Sequence, residues 1–429
     1  MKDNVFVTQY VLTGLAKLSG LKVELPEAYA IKNITSKGLK FLDEYHTQDY
    51  FNSQLHTVLN DMAIQYLYVR SLYPDIPMAD STQKMMQAHL QIARQQWSAY
   101  SNYLQAMIAT AAFHNKDTLT ARSILTSLSI RAVHSETMGM YWQYNKGQQW
   151  HEDPIATQAF LIKAYEEING DSSSVAAMRT WLLRKKQTQH WGTTTATAEA
   201  CYALLPSGKH LLRHTNPVNI SLGPVAMTSP DNQTGYLKQV FKAADIKPEL
   251  ANITISRTGP ASKQNDISWG AVYWQYYNNM DSILKGADTT SLFIDKKIYR
   301  TVSGKTGQEL ELLKNEDELS IGDHIMIRLV IHTDRDMDYI HLKDLRAAGF
   351  EPTEALSGYT YQGGIGYYKS IRDAATDFFF DQIKKGTWVI TYPLIVNQKG
   401  YFASGVATIQ CMYAPEFTSH TDSRIIKVK

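Results

Sequence analysis

The chain has 429 residues, 44% hydrophobic and 20% charged, enough for two or three domains that each bury a core. Lys and Arg total 43 against 41 Asp and Glu, a net charge of +2, which gives no bulk attraction for nucleic acid or an anionic membrane surface. No stretch reaches the roughly 20 apolar residues that would span a bilayer.

The opening residues, MKDNVFVTQYVLTGL, have neither a basic n-region nor an apolar h-region, so a secretory signal is not expected there. They enter a helix almost at once, as if cut from inside a longer protein. From 4 to 205, apolar residues recur at helical spacing. In VFVTQYVLTGLAKL, Val7, Val11, Leu15 and Leu18 fall on one stripe. The same period runs through AYAIKNITSKGLKFLDEY, SQLHTVLNDMAIQYLYVRSLY, TQKMMQAHLQIARQQW, YLQAMIATAAF, LTARSILTSLSIRAV, PIATQAFLIKAYEEI, SVAAMRTWLLRK and TATAEACYALL. Short connectors make these helices antiparallel neighbours. From about 215 the pattern changes. NITISRT, SLFIDKKIYRTV, HIMIRLVIHT, TWVITYPLIV and ASGVATIQCMY alternate or run β-branched, as antiparallel strands of sandwiches do. The halves join near 206–216, and a second break falls near 277–288.

Two segments of the helical half share one device. GQQWHEDPIATQAFLIKAYEEI (147–168) and TQHWGTTTATAEACYALL (188–205) each place a tryptophan and a polar stretch before Ala-Thr and a helix. Trp150 leads Ala156 and Thr157; Trp191 leads Ala196 and Thr197. The repeating unit is a helical hairpin of roughly 40 residues. Thr193, Thr194 or Thr195 can cap the second of these helices, and Glu152 and Asp153 lie where carboxylates meet the positive end of the first. The tryptophans are expected to pack as large apolar plugs. Small residues at the start of these helices favour a closed α/α toroid over an open solenoid.

MGMYW (138–142), the W…ATQAFLIKAY segment and WLLRKKQTQHWGTTTATAEACYALL resemble the thioester-domain toroid of the alpha-2-macroglobulin family in its bacterial form. WGAVYWQY (269–276) resembles the strand region that follows that toroid. DRDMDYIHLKDLRAAGFEP (334–352), SIRDAATDFFFDQIKKGTWVITYPLIVNQKGYFASG (370–405) and IQCMYAPEFTSH (409–420) resemble its C-terminal macroglobulin-like sandwich. The resemblance runs the length of the chain and implies the C-terminal part of a long protease trap. In such a trap, cleavage of a bait region shifts the domains and exposes a thioester. The thioester is built from a Cys-x-Glu-Gln motif, which this sequence lacks: Cys201 is followed by Tyr-Ala-Leu and Cys411 by Met-Tyr-Ala. Either the motif precedes the residues given or the parent protein has none.

Other candidate groups have plain structural readings. Cys201 and Cys411, 210 positions apart in apolar runs, are expected as two buried thiols. Asp334, Asp336 and Asp338 alternate and on a strand would share a face, as carboxylates around a hard cation do; strand-end charges beside Arg335 are the simpler expectation. His46 with His56, and His332 with His341, lack the spacing of a zinc site. His190 stands at the mouth of an inner helix, with no partner in sequence that would make it catalytic. Gly363 and Gly364, in YQGGIGYYKS, lack a phosphate-loop frame and are expected to form a β-turn. The stretch YTYQGGIGYY is rich in tyrosine, as contact surfaces are. No G-x-S-x-G elbow or basic-aromatic patch occurs.

The expected fold class is α + β multidomain: a partial α/α toroid over 1–210, a CUB-like β region over 211–285 and a macroglobulin-like β-sandwich over 286–429. No catalytic, cofactor-binding or metal residue is expected, and no cofactor. The resemblance implies proteases as partners through the full-length parent, together with N-terminal macroglobulin domains of the same chain. It implies no nucleic-acid or membrane contact by this part, and a place in the cell envelope, periplasmic or outer-membrane associated. A scaffold or interaction module without a thioester is the alternative. A toroid enzyme acting on polysaccharide would need paired carboxylates in a cleft.

Overall fold

The computed structural model describes residues 4–21, 28–52, 57–143, 153–205, 218–227, 237–257, 290–304, 307–354 and 356–429, with isolated positions between 270 and 283. Helices fill the N-terminal part and antiparallel sheets the C-terminal part. The chain separates into two compact units, one over 1–182 and 191–267, the other over 183–190 and 268–429.

In the first unit the helices are α1 (Val5–Gly20), α2 (Ala28–Asn52), α3 (Asp61–Ser71), α4 (Asp80–Gln96), α5 (Asn102–His114), α6 (Thr118–Ile130), α7 (Pro154–Ile168) and α9 (Thr194–Leu204); α8 (Ser172–Thr188) begins there. The odd-numbered helices pack in succession, α1 on α3, α3 on α5, α5 on α7 and α7 on α9, while α2, α4 and α6 lie outside them. Burial follows this order. Every residue from Ala63 to Ser71 of α3 and from Leu104 to Ala112 of α5 is buried, as a helix surrounded on all sides requires. In α6 only Thr120, Ala121, Ile124, Leu125 and Leu128 are buried, a one-sided stripe. Alanines let the inner helices approach: Ala106, Ala109, Ala111 and Ala112 on α5, Ala159 and Ala164 on α7, and Ala196, Ala200 and Ala203 on α9. The first and last of these helices, α1 and α9, meet through the ion pair of Lys17 with Glu199.

The sequence misleads on α1. The stripe of Val7, Val11 and Leu18 is exposed, and the buried residues are Gln9, Leu12 and Thr13. The helix is apolar on most sides, so periodicity alone cannot choose its inner face. The choice is made by Gln9, whose amide donates to His46 Nε2 at 3.1 Å and to the Met62 carbonyl at 3.0 Å. A hairpin of β1 (Val133–Ser135) and β2 (Gly139–Tyr141) also interrupts the helices where helical periodicity gave no sign of it. Trp142 follows it, fully buried, donating from its indole to the Leu128 carbonyl at 2.9 Å. A three-stranded sheet, ordered β4 (Val225–Met227), β3 (Val218–Leu222), β5 (Ile253–Arg257), lies within the stretch expected to be CUB-like.

The second unit is a sandwich. One sheet has the order β12 (Gly358–Gln362), β13 (Ile365–Ile371), β14 (Ala375–Ile383), β10 (Met337–Leu345), β17 (Ala407–Cys411), β18 (Thr418–His420). The other has the order β11 (Phe350–Pro352), β15 (Gly386–Val396), β9 (His324–Thr333), β6 (Leu292–Gly304), β7 (Gly307–Leu312). Their inner faces share one core, with Ile327 and Leu329 of β9, Ile340 and Leu342 of β10 and Phe378 and Phe380 of β14. Period-2 burial, as in Ile325, Ile327, Leu329 and Ile331, is what a half-buried strand produces. A small third sheet orders β16 (Gly400–Ala403), β19 (Ile425–Val428), β8 (Glu318–Leu319); its β19–β8 pair is parallel, against the antiparallel expectation.

Gly363 and Gly364 form the two-residue turn between β12 and β13, with φ of 60° and 85°. Both angles are left-handed, as a hairpin turn of this length needs. A Cβ on Gly363 would also stand 2.7 Å from the Val389 carbonyl oxygen, so the tip of the hairpin lies against β15. Gln362 secures it, accepting from the Thr391 backbone at 3.1 Å and donating to the Thr391 hydroxyl at 2.9 Å.

Candidate functional site

A cluster of charges in the first unit lies where α1, α7, α8 and α9 come together. Lys17 pairs with Glu199, and its ammonium sits 4.5 Å from the centre of the Phe160 ring and 5.3 Å from that of Tyr202. Lys163 stands over the other side of the cluster, 4.7 Å from the Tyr202 ring centre and 3.0 Å from Glu166. Arg179 reaches the same Glu166 at 3.1 Å and donates to the Ala203 carbonyl, an open acceptor in the last turn of α9, at 2.9 Å. Burial pushes the Lys17 and Lys163 amines below the usual lysine range, and the pairing carboxylates Glu199 and Glu166 pull them back. Tyr68, which meets Phe160 edge-on, is pushed up by burial and then by the charge of Glu199.

Each carboxylate of this cluster is neutralised by a cation and each cation is also lodged on rings or carbonyls. Such a network ties α1, α7, α8 and α9 together, and among the described residues of the cluster no acid stands free beside a free base. Sequence reasoning missed it, although Lys17, Lys163 and Glu199 were each visible as single charges inside apolar runs.

The caps fall where the sequence placed them. Asp153 accepts from the backbone N–H groups of Ile155 at 2.7 Å and Ala156 at 3.2 Å, opening α7. Thr193 accepts from Ala196 at 3.1 Å, opening α9. Trp191 is buried and donates to the Leu182 carbonyl at 3.2 Å. Trp150, Glu152 and His56 lie outside the described residues.

The three aspartates do not share a strand face. Only Asp338 is on β10; Asp334 and Asp336 precede it in the turn. Asp334 pairs with Arg335 at 2.8 Å, and Asp336 accepts from Lys384 at 3.0 Å and from the Lys385 backbone at 2.9 Å. For both, burial raises the carboxyl but these partners outweigh it, so each is held below the usual range. Asp338 is buried and accepts from Gln382 at 2.8 Å and from the His190 backbone at 3.1 Å. Three carboxylates that each answer a different donor are strand-end charges, not a converging set. The histidines do not converge either. His46 is buried in the first unit, stacked 4.3 Å from Tyr66; His332 meets Thr387 at 3.0 Å, and His341 meets Asp377 at 2.8 Å.

One expectation about the thiols fails. Cys411 is buried in β17, its sulfur 3.4 Å from the Asp338 carbonyl, but Cys201 is exposed. The buried face of α9 is Ala196, Ala200 and Ala203, and position 201 turns away from it. A thiol titration of the native chain is therefore expected to show one fast group, Cys201, and one slow group, Cys411, whose thiol burial also pushes up. Cys201→Ser should abolish the fast phase alone.

Residues 294–416 match the family model of the bacterial alpha-2-macroglobulin MG10 domain. This chain carries a domain of the bacterial alpha-2-macroglobulin family. The matched MG10 residues begin in β6 and run just past β17, and so take in most of both large sheets. Among solved structures, Salmonella alpha-2-macroglobulin reacted with methylamine is similar at 14% identity and a TM-score of 0.36, covering 100% of this chain and 26% of that one. Escherichia coli alpha-2-macroglobulin activated by porcine elastase is similar at 12% identity and a TM-score of 0.39, covering 99% and 35%. Among curated proteins, Circularly permutated Ras protein 2 of Dictyostelium discoideum is 22% identical over 353 residues, 76% of this chain and 9% of that protein. The chain thus spans a small part, 9–35%, of the length of these three relatives. Among the described residues, no helix is long and apolar enough to cross a membrane.

Proposed function

We propose that this chain is the C-terminal portion of a bacterial alpha-2-macroglobulin-like protease trap, an endopeptidase inhibitor that acts mechanically and catalyses nothing itself. The observation that carries this reading is the MG10 match over 294–416, preceded in the same chain by helices of which the odd-numbered ones pack in succession. On this reading residues 1–210 are part of the thioester-domain toroid, 211–285 a CUB-like region and 286–429 the C-terminal macroglobulin-like domain. The partners are proteases, reached through the full-length parent, and the macroglobulin domains before the toroid. The site of action is the cell envelope. Rigid units carried on one chain can reorient when a bait segment is cut, a hinge-type change that needs no chemistry from these residues. The polysaccharide-enzyme alternative needs paired free carboxylates in a cleft, and in the described cluster Glu166 and Glu199 are instead paired with Arg179, Lys163 and Lys17.

The test uses the full-length parent and a broad-specificity protease. A trap leaves the captured protease active on a small chromogenic peptide and inactive on a large protein substrate. Equal loss, or no loss, of both activities would refute trapping. Free thiol titrated before and after a small amine nucleophile then separates two mechanisms. One new thiol per chain means a thioester lies outside these residues; none means a non-covalent trap or scaffold.

A further inference from the structure

The aromatic stretch 358–368 is left unused by the trap reading. Strand β12 is an edge of its sheet, and its outward side chains, Tyr359 and Tyr361, are 83% and 77% exposed. In register, Tyr359 stands opposite Tyr368, and Tyr361 opposite Gly366. Position 366 has no side chain to fill its place on the outer face. The result is a hollow of about 370 Å³ walled by Tyr359, Tyr361 and Phe379, with Asp381 as the charged group that lines it. The walls are fixed. Tyr359 meets Tyr368 edge-on at 5.2 Å, and Phe379 is stacked flat on His341 at 4.7 Å, which Asp377 holds at 2.8 Å. Asp381 is exposed and makes no ion pair with any described residue.

We propose that this hollow is a docking site for a lysine or arginine side chain presented by an extended segment of another polypeptide. Ring faces and a carboxylate together attract a cation. An anion is repelled, and a neutral apolar group would cover Asp381 without pairing it. The edge of β12 supplies the backbone half of the site. Because Gln362 pairs with Ile365 across a two-residue turn, the N–H and C=O groups of Tyr359 and Tyr361 point away from β13. A strand added there hydrogen-bonds to both residues and sets alternate side chains beside the two tyrosines. From that strand the near wall of the hollow, Tyr359 and Tyr361, is one strand spacing inward, roughly 5 Å, and its floor at Gly366 two spacings, roughly 10 Å, so a long basic side chain laid over Tyr361 brings its charge to the near side of the hollow.

The test measures anisotropy of a labelled, acetylated Thr-Val-Lys-Val-Thr peptide against the whole chain, beside the same peptide with norleucine for lysine. The lysine peptide is expected to bind roughly ten-fold more tightly than the norleucine one. Asp381→Asn is expected to remove that difference. Gly366→Val should weaken binding by filling the hollow; its Cβ meets only Tyr361 Cδ2, at 3.7 Å, so the fold accommodates it, and an unchanged melting temperature checks this. No binding, equal binding of the two peptides, indifference to both substitutions, or a self-association of the chain that covers this face would each overturn the proposal. None of these readings involves protease trapping, so the two ideas fail separately.

Discussion

Replacing Asp344 with alanine is expected to destabilise the second unit by about 3–5 kcal/mol, the cost of leaving a buried charge without its partner. Asp344 lies on β10 in one sheet and Lys296 on β6 in the other; their side chains are 0% and 5% exposed and 2.6 Å apart. The Lys296 ammonium also donates to the carbonyls of Leu345 at 2.8 Å, Ser404 at 3.2 Å and Gly405 at 3.3 Å. The second carboxylate oxygen of Asp344 accepts from the Tyr392 hydroxyl of β15 at 2.5 Å. Burial, and then the charge of Asp344, pushes that phenol well above its usual range, so it stays a donor. The trio is therefore well satisfied, and removing the carboxylate leaves the buried Lys296 charge without its counter-ion and takes from the Tyr392 hydroxyl the oxygen it donates to. The variant Lys296→Met with Asp344→Leu removes both charges and should cost less than Asp344→Ala alone. A readout confined to this unit is the exchange rate of the buried Cys411 thiol in a Cys201→Ser background. A rate unchanged by Asp344→Ala would remove the ion pair from the account of what holds the sheets together.

That trio shows where reading a sequence stops. The strands β6 and β15 were legible from their alternating or β-branched apolar residues, while β10 was visible only within the segment 334–352 that resembles the family's sandwich. Lys296 and Asp344 were visible too, yet a period-2 pattern cannot say which inward charge on one sheet answers which on the other. Lys17 and Glu199 pose the same difficulty on helices 182 positions apart. Local chemistry fared better. Asp153 and Thr193 cap the helices they precede, because a cap is decided within three residues. The paired glycines make the turn they were expected to make, because only left-handed backbone closes so short a hairpin. Faces were intermediate. The alanine stripe of α9 could have shown that Cys201 points outward, whereas α1 carries apolar residues on several sides and its inner face is chosen by the contacts of Gln9. The outer-face hollow lay within a motif singled out for its tyrosines, but Asp381 and Phe379 come from the third strand over and enter only with the register.

Acidification should weaken the first unit through His46. The ring is buried, stacked on Tyr66 and bonded through Nε2 to the Gln9 amide, so it is held neutral. Burial, and then the nearby His89, lowers it from the ordinary 6.5 to about 3. The unfolded chain therefore binds a proton at this site between those two values while the folded chain does not. Stability contributed by neutral His46 is complete above pH 6.5 and is lost as pH falls toward 3, at ~1.4 kcal/mol per pH unit, or on the order of 5 kcal/mol in full. Asp43, bonded to the Tyr66 hydroxyl at 2.6 Å, works in the opposite sense. Burial raises its carboxyl above 3.8 against the pull of Tyr66 and Arg70, so it offsets part of the loss near the bottom of the window. The separable quantity is a difference of slopes. Denaturant midpoints of the helical unit, measured from pH 7 to 4.5 in the whole chain, should fall more steeply for the natural protein than for His46→Gln, whose amide can still accept from Gln9. Parallel slopes would mean that His46 is solvated enough in the folded state to take up its proton there, and that the Gln9 contact does not seal the inner face of α1.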